Sequence, residues 1–107
     1  MVNPHAGEVA LTIDGERFVM RLTLGALAEL EAAMAAGSLV ELVERFEKSG
    51  FSTRDVLSLI VAGLRGGGWK GGAEDLLCAQ IDGGPVGASR AAAELLTRAF
   101  SLPGELR

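Results

Sequence analysis

Two short alternating runs, Glu8 to Ile13 and Glu16 to Leu22, flank the dipeptide Asp14-Gly15, and this arrangement points to a β-hairpin. An Asp-Gly pair suits a two-residue type I′ loop, because both central positions need positive φ and these residues tolerate it. A loop of that length also sets the register. Ile13 then faces Glu16, Leu11 faces Phe18 and Val9 faces Met20, so Val9, Leu11, Ile13, Phe18 and Met20 share one side. The other side pairs Thr12 with Arg17, Ala10 with Val19 and Glu8 with Arg21, an opposite-charge pair.

After Leu22 the apolar period changes from two to about 3.6. Thr23 suits an N-cap for a helix running to about Ala36, with Leu27, Leu30 and Met34 on its apolar stripe and Gly37 ending it. Ser38 opens a second helix, with Glu41 at capping-box spacing. Its buried stripe is Leu39, Leu42, Val43 and Phe46, Glu44 and Lys48 are spaced to pair, and Gly50 marks its end. Ser52 and Asp55 repeat the capping device before a helix from Thr53 to Arg65. That helix is apolar on most sides, as a central helix is. A glycine-rich connection, 66–72, leads to a shorter helix over Ala73 to Ile81. After the turn Asp82-Gly83-Gly84-Pro85 a last helix spans about Val86 to Phe100, with Leu95, Leu96, Ala99 and Phe100 toward the core. The expected fold is α+β, mainly α: a hairpin (8–22), about five helices (23–100) and a tail (101–107) in one compact domain of 1–107.

The 49% hydrophobic content supports one core without metal or disulfide staples. The net charge of −4 and scattered basic residues argue against nucleic acid, which demands clustered Lys and Arg. Between Leu27 and Glu47 there are five Glu and one Arg. No apolar run approaches the ~20 residues that span a bilayer, and the N-terminus lacks a signal-peptide pattern. A cytosolic chain without membrane partners is expected.

Chemistry-bearing motifs are sparse. Gly66, Gly68 and Gly71 satisfy G-x-G-x-x-G in spacing, but that motif works between a strand and a helix, and here a helix precedes it. Lys70 is followed by Gly71, not by Ser or Thr, so a Walker pattern fails too. His5 stands alone near the N-terminus, and Cys78, the single cysteine, reads as a small buried hydrophobe. Glu29, Glu31, Glu41, Glu44 and Glu47 fall on helix faces that solvent normally covers. No catalytic, cofactor or metal residue is assigned, and no enzyme activity is expected. Trp69 either folds back over the core or projects as a partner anchor, and its large area favours the core.

Beyond single motifs, the order and spacing of many short elements resemble a known family. Asn3-Pro4, Gly7-Glu8-Val9, Asp14-Gly15, Leu22-Thr23-Leu24-Gly25-Ala26-Leu27 and Leu30-Glu31 carry the resemblance. Gly37-Ser38-Leu39, Ser52-x-x-Asp55-Val56, Gly63-Leu64-Arg65 and Ala91-Ala92-Ala93-Glu94-Leu95-Leu96 extend it. Together they are similar to the gene-transfer-agent tail proteins of alphaproteobacterial phage-like particles, over roughly residues 3 to 65 and 88 to 100. The resemblance implies a tail assembly chaperone that binds the tape-measure protein, with the tail tube protein as a second partner. The alternative is a structural tail component, a tube or completion protein retained in the particle. A helical, hairpin-poor chain favours the chaperone, because a tube subunit usually needs an extensive sheet. Protein binding would use apolar residues left over once the core is filled: Leu24, Leu39, Val40, Leu76 and Leu77, with Trp69 as anchor. Mean hydropathy of +0.32 at this length adds an expectation of self-association.

Overall fold

A computed structural model describes residues 7–34 and 38–100. The hairpin forms as expected. Strands β1 (Val9–Ile13) and β2 (Glu16–Met20) pair antiparallel, with Val9 opposite Met20, Leu11 opposite Phe18 and Ile13 opposite Glu16. Asp14 and Gly15 take φ of 51° and 82°, the left-handed values this loop demands. Val9, Leu11, Ile13 and Met20 are buried, and Phe18 is half-buried against them.

Among the described residues four α-helices follow, where about five were expected. Helix α1 (Leu24–Ala33) starts where the Thr23 hydroxyl accepts the Ala26 N–H at 3.1 Å. It stops at Ala33, where Met34 turns to extended backbone and packs half-buried against the core. The expected Gly37 stop lies outside the described residues. Helix α2 (Leu39–Glu47) is opened by Ser38, whose hydroxyl accepts the Glu41 N–H at 3.4 Å. Its left-handed terminator is Ser49, at φ 58°, rather than Gly50. The Ser49 N–H reaches the Phe46 carbonyl and the Gly50 N–H the Arg45 carbonyl, the paired bonds of a Schellman ending. Helix α3 (Thr53–Gly66) carries the complete capping box between Ser52 and Asp55.

Helix α4 (Gly84–Ala99) begins two residues earlier than Val86, and Pro85 sits in its first turn, where a missing N–H costs nothing. Its buried residues are Ala88, Ala91, Ala92, Leu95 and Leu96, spaced as one helical stripe. Ala99 and Phe100 do not extend that stripe. The helix ends at Ala99, and Phe100 is 42% exposed.

The expected helix over Ala73 to Ile81 reduces to one 3-10 turn, Ala73–Asp75. The chain beyond it lies along the free edge of β1. Asp14 N–H donates to the Gln80 carbonyl at 2.8 Å, and Asp82 N–H donates to the Thr12 carbonyl at 2.9 Å. Gln80 N–H donates to the Asp14 carboxylate at 2.9 Å, and Ile81 bridges Ile13. These long-range bonds outweigh the helix propensity of the segment. Cys78 is consequently exposed rather than buried.

Helix α3 is the centre. β2, α1, α4 and the 3-10 turn all pack on it. Its buried Leu59, Ile60 and Leu64 join Met20, Leu30, Leu42 and Leu95 as the best-buried large side chains. The core contains no buried polar or charged residue among the described residues.

Glycines at the end of α3 have a structural task. A Cβ on Gly66 would stand 1.9 Å from the Arg21 carbonyl oxygen, and one on Gly67 2.1 Å from that of Val19. Arg21 N–H also donates to the Gly63 carbonyl at 2.9 Å. The first part of the glycine run is therefore a platform for the β2 backbone, not a loose helix connection. Trp69 continues it. Its N–H caps the Leu64 carbonyl at 2.9 Å, and its ring lies over Gly71, where a Cβ would come within 2.2 Å.

Candidate interaction surface

Ion pairs hold the outer helices to α3. Arg45 on α2 makes a two-pronged contact with Asp55, Nε to Oδ2 and Nη2 to Oδ1, each 2.9 Å. The same carboxylate accepts the Ser52 N–H at 2.9 Å. The Arg45 guanidinium is the main reason the Asp55 pKa is lowered, burial opposes it, and the Ser52 N–H assists. Phe46 and Phe51 stack beside this pair, with centroids 4.4 Å apart and planes 8° apart. Arg65 on α3 binds Glu29 on α1 at 2.9 Å and the Gly71 carbonyl at 3.0 Å. Hydrogen bonding from Arg65 lowers the pKa of Glu29. Glu94 and Arg98 form an i,i+4 ion pair at 3.2 Å, and among the described residues no such pair joins Glu44 to Lys48. Arg98 also donates to the Glu8 carbonyl, which ties the end of α4 to the entry of β1.

With these groups engaged, the surface offers aliphatic side chains. Leu24 is 84% exposed, Leu77 70% and Val40 67%. Each belongs to the set expected to be left over by the core. The other members differ. Leu39 and Trp69 are half-buried against the core, and Leu76 is a core residue at 7% exposure. Leu76 and Leu77 therefore separate, one packed in the core and its neighbour in solvent. Val86 is exposed too, as is Phe100, which was expected to face the core, and Val19 is exposed on the outer side of the hairpin. The hairpin register had already placed Val19 there.

A concavity of about 680 Å³ lies between α3, the first turns of α4 and the segment after the 3-10 turn. Phe51, Leu57, Ile60, Leu77, Ile81 and Pro85 contribute its apolar walls. Among the described residues no three His, Cys, Asp or Glu side chains gather as a metal site. His5 lies outside the described residues. No helix among them is long and apolar enough to cross a membrane.

The molecule is thus a mainly helical α+β protein with a two-stranded N-terminal hairpin and exposed aliphatic side chains on several elements. The family model described as phage tail tube protein, GTA-gp10, matches residues 6–102, and the chain belongs to that family. No curated protein and no solved structure matches the chain. The family corrects the expectation of an assembly chaperone, since its description is that of a tail tube protein. The small sheet had argued against a tube role, but sheet size is a property of fold, and function is not deduced from fold alone.

Proposed function

We propose that this chain is a structural component of the tail of a phage-like particle, built into its tail tube and retained in the finished particle. The match to the tail tube family over residues 6–102 carries this reading. The exposed Leu24, Val40 and Leu77 support it, as side chains available for burial against neighbouring subunits. The role is non-enzymatic: the chain acts by protein–protein contact, and its partners are other tail proteins and further copies of itself. The tape-measure protein is the first of these to test by pull-down.

The deciding experiment is a quantitative mass-spectrometric inventory of purified particles from a producing strain, with electron microscopy of particles lacking this chain. The expected result is many copies per particle and defective tails without the chain. Absence from particles would overturn the proposal.

A further inference from the structure

Both edges of the hairpin are occupied by the chain's own backbone. Residues 80–82 bond to the β1 edge, through Asp14 N–H to Gln80 and Asp82 N–H to Thr12. The β2 edge rests on the glycine platform, with Arg21 N–H bound to Gly63 and the Val19 carbonyl against Gly67. Copies of this chain therefore cannot readily join by adding strand to strand along these stretches. The outward face of the sheet stays open.

That face presents Arg17, Val19 and Arg21, all exposed, with the valine between the two arginines in the alternation, and Glu8, next to Val9, continues the register across from Arg21, so two guanidinium groups stand against one carboxylate. A second exposed valine has the opposite setting. On α2, Val40, Glu44 and Glu47 recur at helical spacing on the solvent side, with Glu41 and Lys48 beside them, all exposed. This stripe carries three carboxylates against one ammonium. Arg45, the remaining cation of α2, is committed to Asp55.

We propose that the Arg17, Val19, Arg21 face of one copy receives the Val40, Glu44, Glu47 face of a second copy. Each valine would be covered by the other and ringed by opposite charge, the arrangement that favours encounter and sets register. The two patches differ, so the contact is head-to-tail. Repetition then gives a closed ring or an open filament. The idea rests on the tail-tube reading and names its subunit contact.

The test uses the full chain and reads self-association by sedimentation velocity at low and raised salt. Arg17→Glu with Arg21→Glu, and separately Glu44→Lys with Glu47→Lys, should each weaken association roughly tenfold or more, and salt should weaken the parent chain. The chain carrying all four reversals should recover, and so should an equimolar mixture of the two double variants. Thermal melts check that each variant is folded, and recovery in the fourfold reversal could not come from a misfolded chain. A parent chain that stays monomeric at all concentrations, or a fourfold reversal that does not recover, would overturn the contact. The particle inventory separates the two ideas. Variants present and functional in particles defeat this contact and leave the tube reading intact, whereas absence of the parent chain from particles defeats the reading itself.

Discussion

Single residues show where local rules are obeyed and where they are bent. Ser49 holds the left-handed position at the end of α2, at φ 58°, a place glycine usually fills. Ser49→Gly should raise stability by about 0.5–1 kcal/mol, the relief of left-handed strain less the extra freedom of the unfolded chain. Urea denaturation measures it, and a loss would mean the serine side chain contributes more than its backbone costs. Gly66 is the reverse case. Gly66→Ala forces a methyl onto the Arg21 carbonyl and should cost about 2 kcal/mol or more. Gly72 lies in the same run with open space around its Cα and φ of −134°, so Gly72→Ala should change stability by less than about 0.5 kcal/mol. A composition-level view treats these two glycines alike. Leu76 and Leu77 form another such pair. Leu76→Ala should cost about 2–3 kcal/mol, while Leu77→Ala should leave the melt within about 0.5 kcal/mol of the parent.

At the scale of elements, the α2–α3 junction depends on one carboxylate with two duties. Asp55 closes the capping box of α3 and holds Arg45 of α2. Asp55→Ala removes both and should cost about 2 kcal/mol, read by denaturation. The pH dependence follows from its lowered pKa. A carboxylate that binds its proton more weakly when folded stabilises the fold above its unfolded pKa, and that contribution is lost as pH falls through the folded value. Acid titration of the parent should therefore show stability falling below the ordinary carboxylate range. Asp55→Asn should make that limb shallower, and an unchanged limb would mean other carboxylates dominate. The capping half of this junction was legible in the sequence, because Ser52 and Asp55 are three residues apart. The Arg45 half was not, because the angle between two helices decides whether Arg45 can reach. The hairpin was legible to the residue for the same local reason: loop length and alternation leave one register. The segment after the 3-10 turn was not. Its Ala, Leu and Glu favour helix, yet Gln80 and Asp82 bond to the hairpin, at Asp14 and Thr12, more than sixty residues earlier.

Across the whole molecule, the expected radius near ~13 Å for a chain of this length agrees with the observed 13.0 Å. The surface is harder to foresee than the size. Sequence reasoning placed Leu24, Val40 and Leu77 outside the core, and all three are exposed. Their roles in assembly are separable from stability. Val40→Asp should leave the melt within about 0.5 kcal/mol of the parent, as an exposed substitution does, and should reduce incorporation into particles. Unchanged incorporation would remove that residue from the assembly surface. What the sequence determined alone is what neighbouring residues settle among themselves: the hairpin and its register, the Thr23, Ser38 and Ser52 caps, and the central, largely apolar α3. What only the tertiary structure decided is everything requiring distant segments to meet. The glycine platform under β2, the strand-like path of residues 80–82, the Arg45–Asp55 clasp and the opposite fates of Leu76 and Leu77 belong there. Local preferences are small and act over a few residues, whereas core burial and long-range hydrogen bonds choose among them once the chain has closed on itself.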